Sequence, residues 1–300
     1  MTRFRMMATL AAAALIAIVA LACGGDPDPT SRSSINAGRP CGTAKRPPAR
    51  YRHVVWIVME NKGYGDIIGN ADSPYITALG KACGVASRFF AETHPSAPNY
   101  IAMTSGGTQG LTDDGDPFER PIDAPSIFSQ LGSGGWRALL EAMPSNCRTK
   151  YLLPEYYARH NAAAYYTNIR AACKRYDVPL RRTPDLSARF TYIAPNSCHS
   201  MHTCDAATGD AWLRQFMPKV LKSAQYRSGG TAVFLTWDES DNKANRIPTL
   251  VIAPSVKPRT VGGARFDHYS LLRTTEQLLG LKKFLGKAAT APSMRPAFRF

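Results

Sequence analysis

The sequence of 300 residues predicts an α/β domain with a mostly parallel central sheet covered by helices on both faces. Two continuous apolar runs, His53–Met59 and Thr231–Trp237, are typical of strands buried on both faces of such a sheet. Helix-start signals alternate with the strands, as at Ser73, which is followed by Pro74. This alternation favours a single folded domain over residues 51–300.

The other predicted elements are shorter. They are strands at residues 84–90, 190–193 and 249–253, and helices after Pro98, over residues 210–223 and from Ser270 to Gly280. Residues 107–189 contain many Gly, Pro and Tyr residues and no long amphipathic repeat. We therefore expect an irregular insertion there, lying over the carboxyl ends of the strands.

The composition of the chain indicates a folded protein, and its net charge indicates which kinds of ligand it attracts. Apolar residues make up 44% of the chain, which excludes a wholly disordered protein, and 37 Lys and Arg against 22 Asp and Glu give a net charge of +15. Such an excess favours anionic partners such as phosphate esters and anionic lipid headgroups. The charge is spread along the chain without a basic stripe interleaved with aromatic residues, so nucleic acid is not an expected partner.

The first 22 residues have the pattern of a signal peptide, because Arg3 and Arg5 precede an uninterrupted stretch of small or apolar residues. Cys23, which follows Ala22 and precedes two glycines, resembles the lipidation site of a bacterial lipoprotein. Ordinary cleavage after Ala22 is the alternative. Either pattern predicts export, to the extracellular space or to the outer face of the cell membrane through a lipid anchor.

Cysteine parity supports an oxidising compartment. Of seven cysteines, six remain if Cys23 is lipidated, which is enough for three disulfides, and we predict one pairing, Cys198 with Cys204. A zinc site that includes these two cysteines is the less favoured alternative. Residues 23–50 contain five prolines and no periodicity, and we expect them to be a tether.

Oxygen donors follow the two best strands, since Glu60 and Asn61 end the first and Asp238 and Glu239 end the second. In open α/β sheets ligands bind outside the carboxyl ends of the strands, so these residues predict a site for a hard cation. Polar residues also end strands without any such function, and that interpretation stays open here.

Ser96 lies on a proline-flanked turn just before a predicted helix, where its hydroxyl could face a phosphate held by helix amides. A nearby cation would make it a nucleophile, whereas alone it would be a helix cap. His202 and His268 are candidates for donating a proton or binding phosphate. His53 and His160 are expected to be structural or solvated, with His94 intermediate.

Taken in order, several segments resemble the bacterial phosphoesterase family, which includes acid phosphatases and phospholipases C of the alkaline phosphatase-like superfamily. The segments are EN at residue 60, ETHPSAPNY, a loop with Met-His, GDAWL, TWDE, IPT and DHYSLLRTTEQLLGL. The resemblance covers roughly residues 51–285 and is greatest to small secreted bacterial acid phosphatases, some of which act on phosphatidylinositol 3-phosphate.

The resemblance implies a role for each matching residue. Ser96 would be the nucleophile, with Thr93 as the fallback, and His202 and His268 would bind phosphate or donate a proton. A divalent metal ion would be held by Glu60, Asn61, Ser96, Asp238 and Glu239, with Asn99 and His94 binding substrate. The family usually has Asp-Met-His-Asp where this chain has Ser200-Met201-His202-Thr203. If the first Asp of the family orients the histidine or binds metal, we expect His202 to be either less basic or positioned differently.

We therefore expect a metal-assisted phosphomonoester hydrolase that works through a phosphoserine on a phosphorylated small molecule or a phosphoinositide. One alternative is a phosphodiesterase or phospholipase C that uses the same residues. The other is a surface lipoprotein that binds anions without catalysis. The identity of the metal ion, the pH optimum and the oligomeric state are not predicted.

Overall fold

A computed structural model describes residues 39–300 of the chain. The predicted signal peptide and the predicted lipidation site at Cys23 lie outside the described residues. Within residues 39–300, no helix is both long and apolar enough to cross a bilayer.

The described residues form eleven strands. These are β1 (His53–Met59), β2 (Gly84–Ala86), β3 (Phe89–Phe90), β4 (Trp136–Leu140), β5 (Asp177–Pro179), β6 (Phe190–Ala194), β7 (Thr231–Trp237), β8 (Arg246–Ile247), β9 (Thr249–Ile252), β10 (Thr260–Gly262) and β11 (Phe266–Asp267).

Eight of these strands form a central sheet in the order β10-β2-β9-β7-β1-β6-β4-β5. Only β9 runs antiparallel to its neighbours, β2 and β7, and the other pairs in the sheet are parallel. Strands β3, β8 and β11 form a separate small sheet. The mostly parallel sheet that the apolar runs predict is therefore confirmed.

The middle of the sheet positions the ends of β1 and β7. These two strands pair in parallel along their whole length, up to Met59 opposite Trp237, and all of β7 is buried. The amide of Asp238 extends the pairing by donating to the carbonyl of Met59 at 3.0 Å. Glu60 and Asp238 therefore leave the sheet side by side.

Helices cover the sheet in two groups. They are α1 (Tyr64–Ile67), α2 (Pro74–Ala82), α3 (Ser96–Ser105), α4 (Ile127–Leu131), α5 (Ala162–Tyr165), α6 (Arg170–Tyr176), α7 (Ala206–Leu221), α8 (Ala224–Arg227), α9 (His268–Leu278) and α10 (Arg295–Phe298). Helix α2 packs on α7, whereas α3 packs on α9, α4 and α5. Trp56 of β1 donates its indole N–H to Thr275 of α9 at 2.9 Å, which fixes the second group on the sheet.

Two predicted helix starts lie three residues too late in the chain. Helix α3 begins at Ser96 rather than after Pro98, so Ser96 is the first residue of the helix. Helix α9 begins at His268, and its cap is the carboxylate of Asp267, which accepts the amide of Ser270 at 2.8 Å. The negative charge of a carboxylate at this position also interacts favourably with the positive end of the helix dipole, whereas a neutral serine hydroxyl only accepts the hydrogen bond.

The region expected to be an irregular insertion, residues 107–189, also contributes to the sheet. Its strands β4 and β5 pair in parallel and extend the sheet beyond β6. The strands contain only five and three residues, too few for a clear apolar pattern in the sequence. The rest of the region is made of turns, short helices and long irregular stretches, as expected.

Three disulfides join the six cysteines of the described part of the chain. The pair Cys198–Cys204 confirms the prediction, and the others are Cys41–Cys83 and Cys147–Cys173. Cys41 is buried, so the last part of the segment expected to be a tether, residues 39–50, is attached to the domain at the start of β2.

Candidate active site

Three carboxylates meet beyond the carboxyl ends of β1 and β7. Glu60 and Asp238 are fully buried, and Glu239 is 6% exposed. Asn61 adopts a positive φ of 54°, a conformation that Asn tolerates better than most residues, and its amide donates to Asp238 Oδ1 at 3.2 Å. The structure thus brings together the four residues that the sequence predicts at the strand ends.

Ser96, at the start of α3, connects two of these carboxylates. Its Oγ lies 3.2 Å from Glu60 Oε2 and 3.0 Å from Glu239 Oε1. Because a hydroxyl has a single proton to donate, it can satisfy only one of the two carboxylates at a time. Two acceptors at hydrogen-bond distance can draw that proton from the oxygen, as activation of a serine nucleophile requires.

Burial raises the pKa of all three carboxyls, and repulsion within the cluster raises the pKa of Glu60 and Asp238 further. The pKa of Glu60 is raised mainly by desolvation and then by the charge of Asp238. Desolvation also raises the pKa of Asp238, followed by the charge of Glu239, and it is the largest cause of the raised pKa of Glu239. Buried carboxylates without a compensating positive charge are costly, so this cluster favours a cation or a shared proton.

The cluster fits a divalent cation. Asp238 Oδ2 is buried and has no hydrogen-bond partner among residues 39–300, and the donor set is oxygen only, as hard cations prefer. A second group of suitable ligands lies beside it, since side-chain ligand atoms of Glu60, His160 and His202 come within 4.8 Å of one another. Glu60 belongs to both groups.

The loop before α3 is held by Asn99, for which the resemblance implies a substrate contact. Its Oδ1 accepts the amides of Glu92 and Thr93, and its Nδ2 donates to the carbonyls of Thr93 and Pro95. All four hydrogen-bonding positions of the amide are therefore used within the loop. The structure thus makes Asn99 a buried residue that positions Ser96, with no position left for substrate.

His94 lies at the entrance to the cluster. Its side chain is 45% exposed, and its Nδ1 lies 2.5 Å from Glu239 Oε2. Among the candidate histidines it is the most accessible from solvent, in keeping with the substrate-binding role that the resemblance implies. Thr93, the fallback nucleophile, donates its hydroxyl to the carbonyl of His94 instead.

His202 lies within the same site, on the loop closed by the Cys198–Cys204 disulfide. Its Nε2 lies 3.2 Å from Nη2 of Arg159, which donates, so the ring proton is on Nδ1. That Nδ1 is buried and has no partner within residues 39–300. Burial, followed by the charge of Arg159, lowers the pKa of His202.

His268 lies behind the cluster rather than in its opening. It is fully buried, and its Nε2–H donates to the backbone carbonyl of Asp238 at 2.7 Å. Burial lowers its pKa to about 4, so the ring is neutral near pH 7. In the structure His268 therefore holds the Asp238 turn in place, which favours His202 over His268 as the donor to substrate.

His160 and Tyr100 are among the residues of the site that the sequence reasoning misses. His160, expected to be structural or solvated, is buried with its Nε2 3.3 Å from Glu60 Oε1. It stacks between the rings of Tyr100 and Tyr157, and Tyr100 donates its hydroxyl to Glu60. No local pattern in residues 156–161 marks His160, because its position depends on tertiary packing.

Asp114 and Arg159 form the other unexpected part of the site. Asp114 Oδ1 accepts the amide of Ala97 at 2.9 Å, so a carboxylate lies at the helix N-terminus where we expect phosphate. Its Oδ2 lies 3.5 Å from Nε of Arg159. Arg159 thus brings a positive charge beside His202, in a form suited to bind phosphate oxygens.

The sequence matches known proteins over most of its length. A profile of the phosphoesterase family matches residues 70–282. A phosphatidylinositol-3-phosphatase of Mycobacterium tuberculosis is 32% identical over 250 residues, which cover 81% of each chain. An acid phosphatase of Aspergillus fumigatus is 25% identical, and the match covers 76% of this chain but 54% of that protein.

Solved structures share the fold. A protein of the alkaline phosphatase superfamily from Vibrio parahaemolyticus superposes with a TM-score of 0.58 at 13% identity, covering 86% of this chain and 74% of that one. A phosphonate monoester hydrolase from Silicibacter pomeroyi gives a TM-score of 0.53 at 12% identity, covering 83% and 76%. With the profile match and the identity to the mycobacterial protein, these likenesses establish that the chain belongs to the phosphoesterase family, with the fold of the alkaline phosphatase superfamily.

Proposed function

We propose that this protein is a divalent-metal-dependent phosphatase that hydrolyses phosphomonoesters, phosphoinositides among them, through a phosphoserine at Ser96. The observation that carries the proposal is the position of Ser96 Oγ, at hydrogen-bond distance from both Glu60 and Glu239 at the first residue of α3. The similarity to a phosphatidylinositol-3-phosphatase and to acid phosphatases supports the class of substrate.

The cation would be held by Glu60, Asn61, Asp238, Glu239 and Ser96. When bound, it would lower the pKa of the serine hydroxyl and balance the negative charge of the substrate phosphate. The side chain of Arg159 adds a fixed positive charge, and it is only 14% exposed. An anionic substrate can therefore approach a cluster of carboxylates without net repulsion.

The reaction consists of two displacements at phosphorus. Ser96 gives its proton to a neighbouring carboxylate and its Oγ bonds to phosphorus, while the bond to the ester oxygen breaks. The leaving alkoxide takes a proton from the imidazolium form of His202, so an alcohol is released and the ring becomes neutral. Water then attacks the phosphorus of the phosphoserine and gives a proton to His202, while the bond from phosphorus to Oγ breaks. Oγ takes back its proton from the carboxylate, so that phosphate is released and the serine hydroxyl is restored.

Replacing Ser96 tests the nucleophile. Ser96→Ala should lower phosphomonoester turnover by about 10³-fold or more, because among residues 39–300 no other hydroxyl lies at hydrogen-bond distance from both carboxylates. Turnover of a chromogenic phosphomonoester should be measured in parallel with that of a phosphodiester, with circular dichroism to verify folding. Ser105→Ala, at the other end of α3, is the matched control and should retain wild-type turnover. Near-wild-type turnover by Ser96→Ala would discard the mechanism.

Replacing Asp238 tests the metal site. Asp238→Asn keeps the shape of the side chain but removes the charge of a buried ligand. We expect the affinity for Mn²⁺, measured by electron paramagnetic resonance, to fall by at least about 10–100-fold. That is the loss typical of changing a residue that only hydrogen-bonds to a metal ligand, and a direct ligand should matter at least as much. Asp241→Asn makes the same change on an exposed residue three positions away and should bind Mn²⁺ normally. Equal affinity in the two variants would rule out Asp238 as a ligand.

The role of His202 can be separated from that of the cation by changing the leaving group. His202→Asn should slow an alkyl phosphate such as inositol phosphate by about 10²–10⁴-fold, because an alkoxide needs a proton to leave. Hydrolysis of 4-nitrophenyl phosphate should decline much less, since nitrophenolate leaves without one. His199→Asn, on the same loop but paired with Glu141, is the control. Equal losses on both substrates would assign His202 to phosphate binding alone.

We also propose that the protein is exported and that Cys23 is lipidated. The pairing of all six cysteines of residues 39–300 supports an oxidising compartment. Mass spectrometry of the mature protein from a bacterial membrane fraction should find a lipid-modified N-terminal Cys23. An unmodified N-terminus at Cys23 in the culture medium would instead indicate simple secretion, and retention of residues 1–22 in the cytoplasm would contradict export.

A further inference from the structure

Exposed large apolar side chains are concentrated at one place in the described residues. Five such side chains are exposed in residues 39–300, and four of them belong to the insertion, namely Phe118 (59% exposed), Tyr151 (40%), Leu152 (51%) and Leu153 (61%). We call these four the apolar rim. Solvated proteins seldom expose apolar side chains in clusters, and such clusters mark surfaces for a partner or a membrane.

Local contacts place the two segments that carry the apolar rim beside each other. The amide of Phe118 donates to the carbonyl of Thr149 at 3.2 Å, which places Phe118 beside the segment that carries the other three. Lys150 Nζ lies 3.8 Å from the centre of the Phe118 ring. Leu152 and Tyr156 exchange two backbone hydrogen bonds of 2.9 Å, so the tip between them is a closed turn.

The turn is also anchored to the domain. Ser197 Oγ donates to the carbonyl of Pro154 at 2.7 Å, and the amide of Ser197 donates to the carbonyl of Glu155 at 3.0 Å. The buried Tyr156 donates its hydroxyl to the carbonyl of Arg148 at 2.7 Å. A tip fixed in this way loses little conformational entropy when it binds a surface.

The apolar rim lies next to the candidate active site. The ring centre of Tyr151 is 6.3 Å from that of Tyr157, which in turn is 4.9 Å from that of His202 and 5.5 Å from that of His160. A surface in contact with the rim would therefore lie two aromatic rings away from the histidines that face Glu60.

The composition of the rim and the net charge of the chain favour a lipid surface. Arg148 and Lys150 precede the apolar tip directly, while Glu119 and Glu155 flank it, so the local charge is nearly balanced. The net charge, which is +15 for the whole chain and 15 − 2 = +13 once Arg3 and Arg5 are removed with the predicted signal peptide, adds attraction over longer distances to anionic lipid. Leucine and aromatic side chains beside a lysine with a long apolar stem have the composition of segments that enter the bilayer interface.

We propose that the apolar rim inserts into the surface of an anionic lipid bilayer and so presents membrane-bound phosphoesters to the active site. This inference deepens the proposed function, because it assigns the source of a phosphoinositide substrate. Apolar insertion would dominate the binding, with the net charge raising the rate of encounter. We therefore expect only partial release from vesicles at high salt.

Vesicle flotation tests the rim separately from catalysis. All proteins carry Cys23→Ala, so that a lipid anchor does not bind the membrane. With vesicles of phosphatidylcholine and phosphatidylserine that lack phosphoinositide, the double variant Leu152→Asn, Leu153→Asn should bind about tenfold or more weakly than the parent. Val261→Asn, which alters an equally exposed apolar residue on strand β10, should bind as the parent does.

Turnover of a soluble chromogenic phosphomonoester should be the same in the double variant and its parent, because neither leucine contacts the active site. Undiminished vesicle binding by the double variant, or an equal loss in Val261→Asn, would overturn the proposal. Failure of the parent to float would also overturn it and would assign the rim to a protein partner. Because these vesicles contain no substrate, the flotation result tests membrane binding independently of whether the protein has the proposed phosphatase activity.

Discussion

Parallel pairing of β1 and β7 places Glu60 and Asp238 side by side at a buried edge of the sheet, and their charges repel at short range. Much of the site around them offsets that repulsion. Ser96 and Tyr100 donate hydroxyls to Glu60, and the amide of Asn61 donates to Asp238. These donors are neutral, so they reduce the cost of burying the carboxylates without cancelling their charge. The proposed cation would complete the balance and so allow a substrate phosphate to enter.

The central part of this arrangement was predictable because it depends on a local pattern. An apolar run of seven residues that ends in two polar ones indicates a buried strand and the position of its end, and it occurs at both β1 and β7. The carboxyl ends of parallel strands meet at one edge, so the convergence of Glu60 and Asp238 follows from the strands alone. Ser96 was predictable in the same way, from a turn followed by a helix.

The contribution of residues 107–189 could not be predicted, because no period of two or 3.6 residues links these positions to the sheet. His160 is held by stacking on Tyr100 and by its carbonyl, which accepts the hydroxyl of Tyr192 at 2.6 Å. These contacts join residues that are far apart in the chain, so they cannot be predicted from the pattern of a single sequence. Asp114 and Arg159 are equally hidden, since the ion pair between them depends on how two irregular segments pack.

The insertion therefore brings together two properties that the sheet alone lacks. On its inner side Arg159 and His160 face the carboxylates, and on its outer side Leu152 and Leu153 are exposed to solvent. The residues proposed to bind the phosphate and those proposed to contact the membrane thus belong to one continuous segment. Changes at the outer side would alter where the substrate is taken from while leaving the cluster at the strand ends intact. The rings of Tyr151 and Tyr157 lie between the exposed leucines and the carboxylates. Substitutions at the leucines can therefore change the preference between membrane-bound and soluble phosphoesters without changing the catalytic residues.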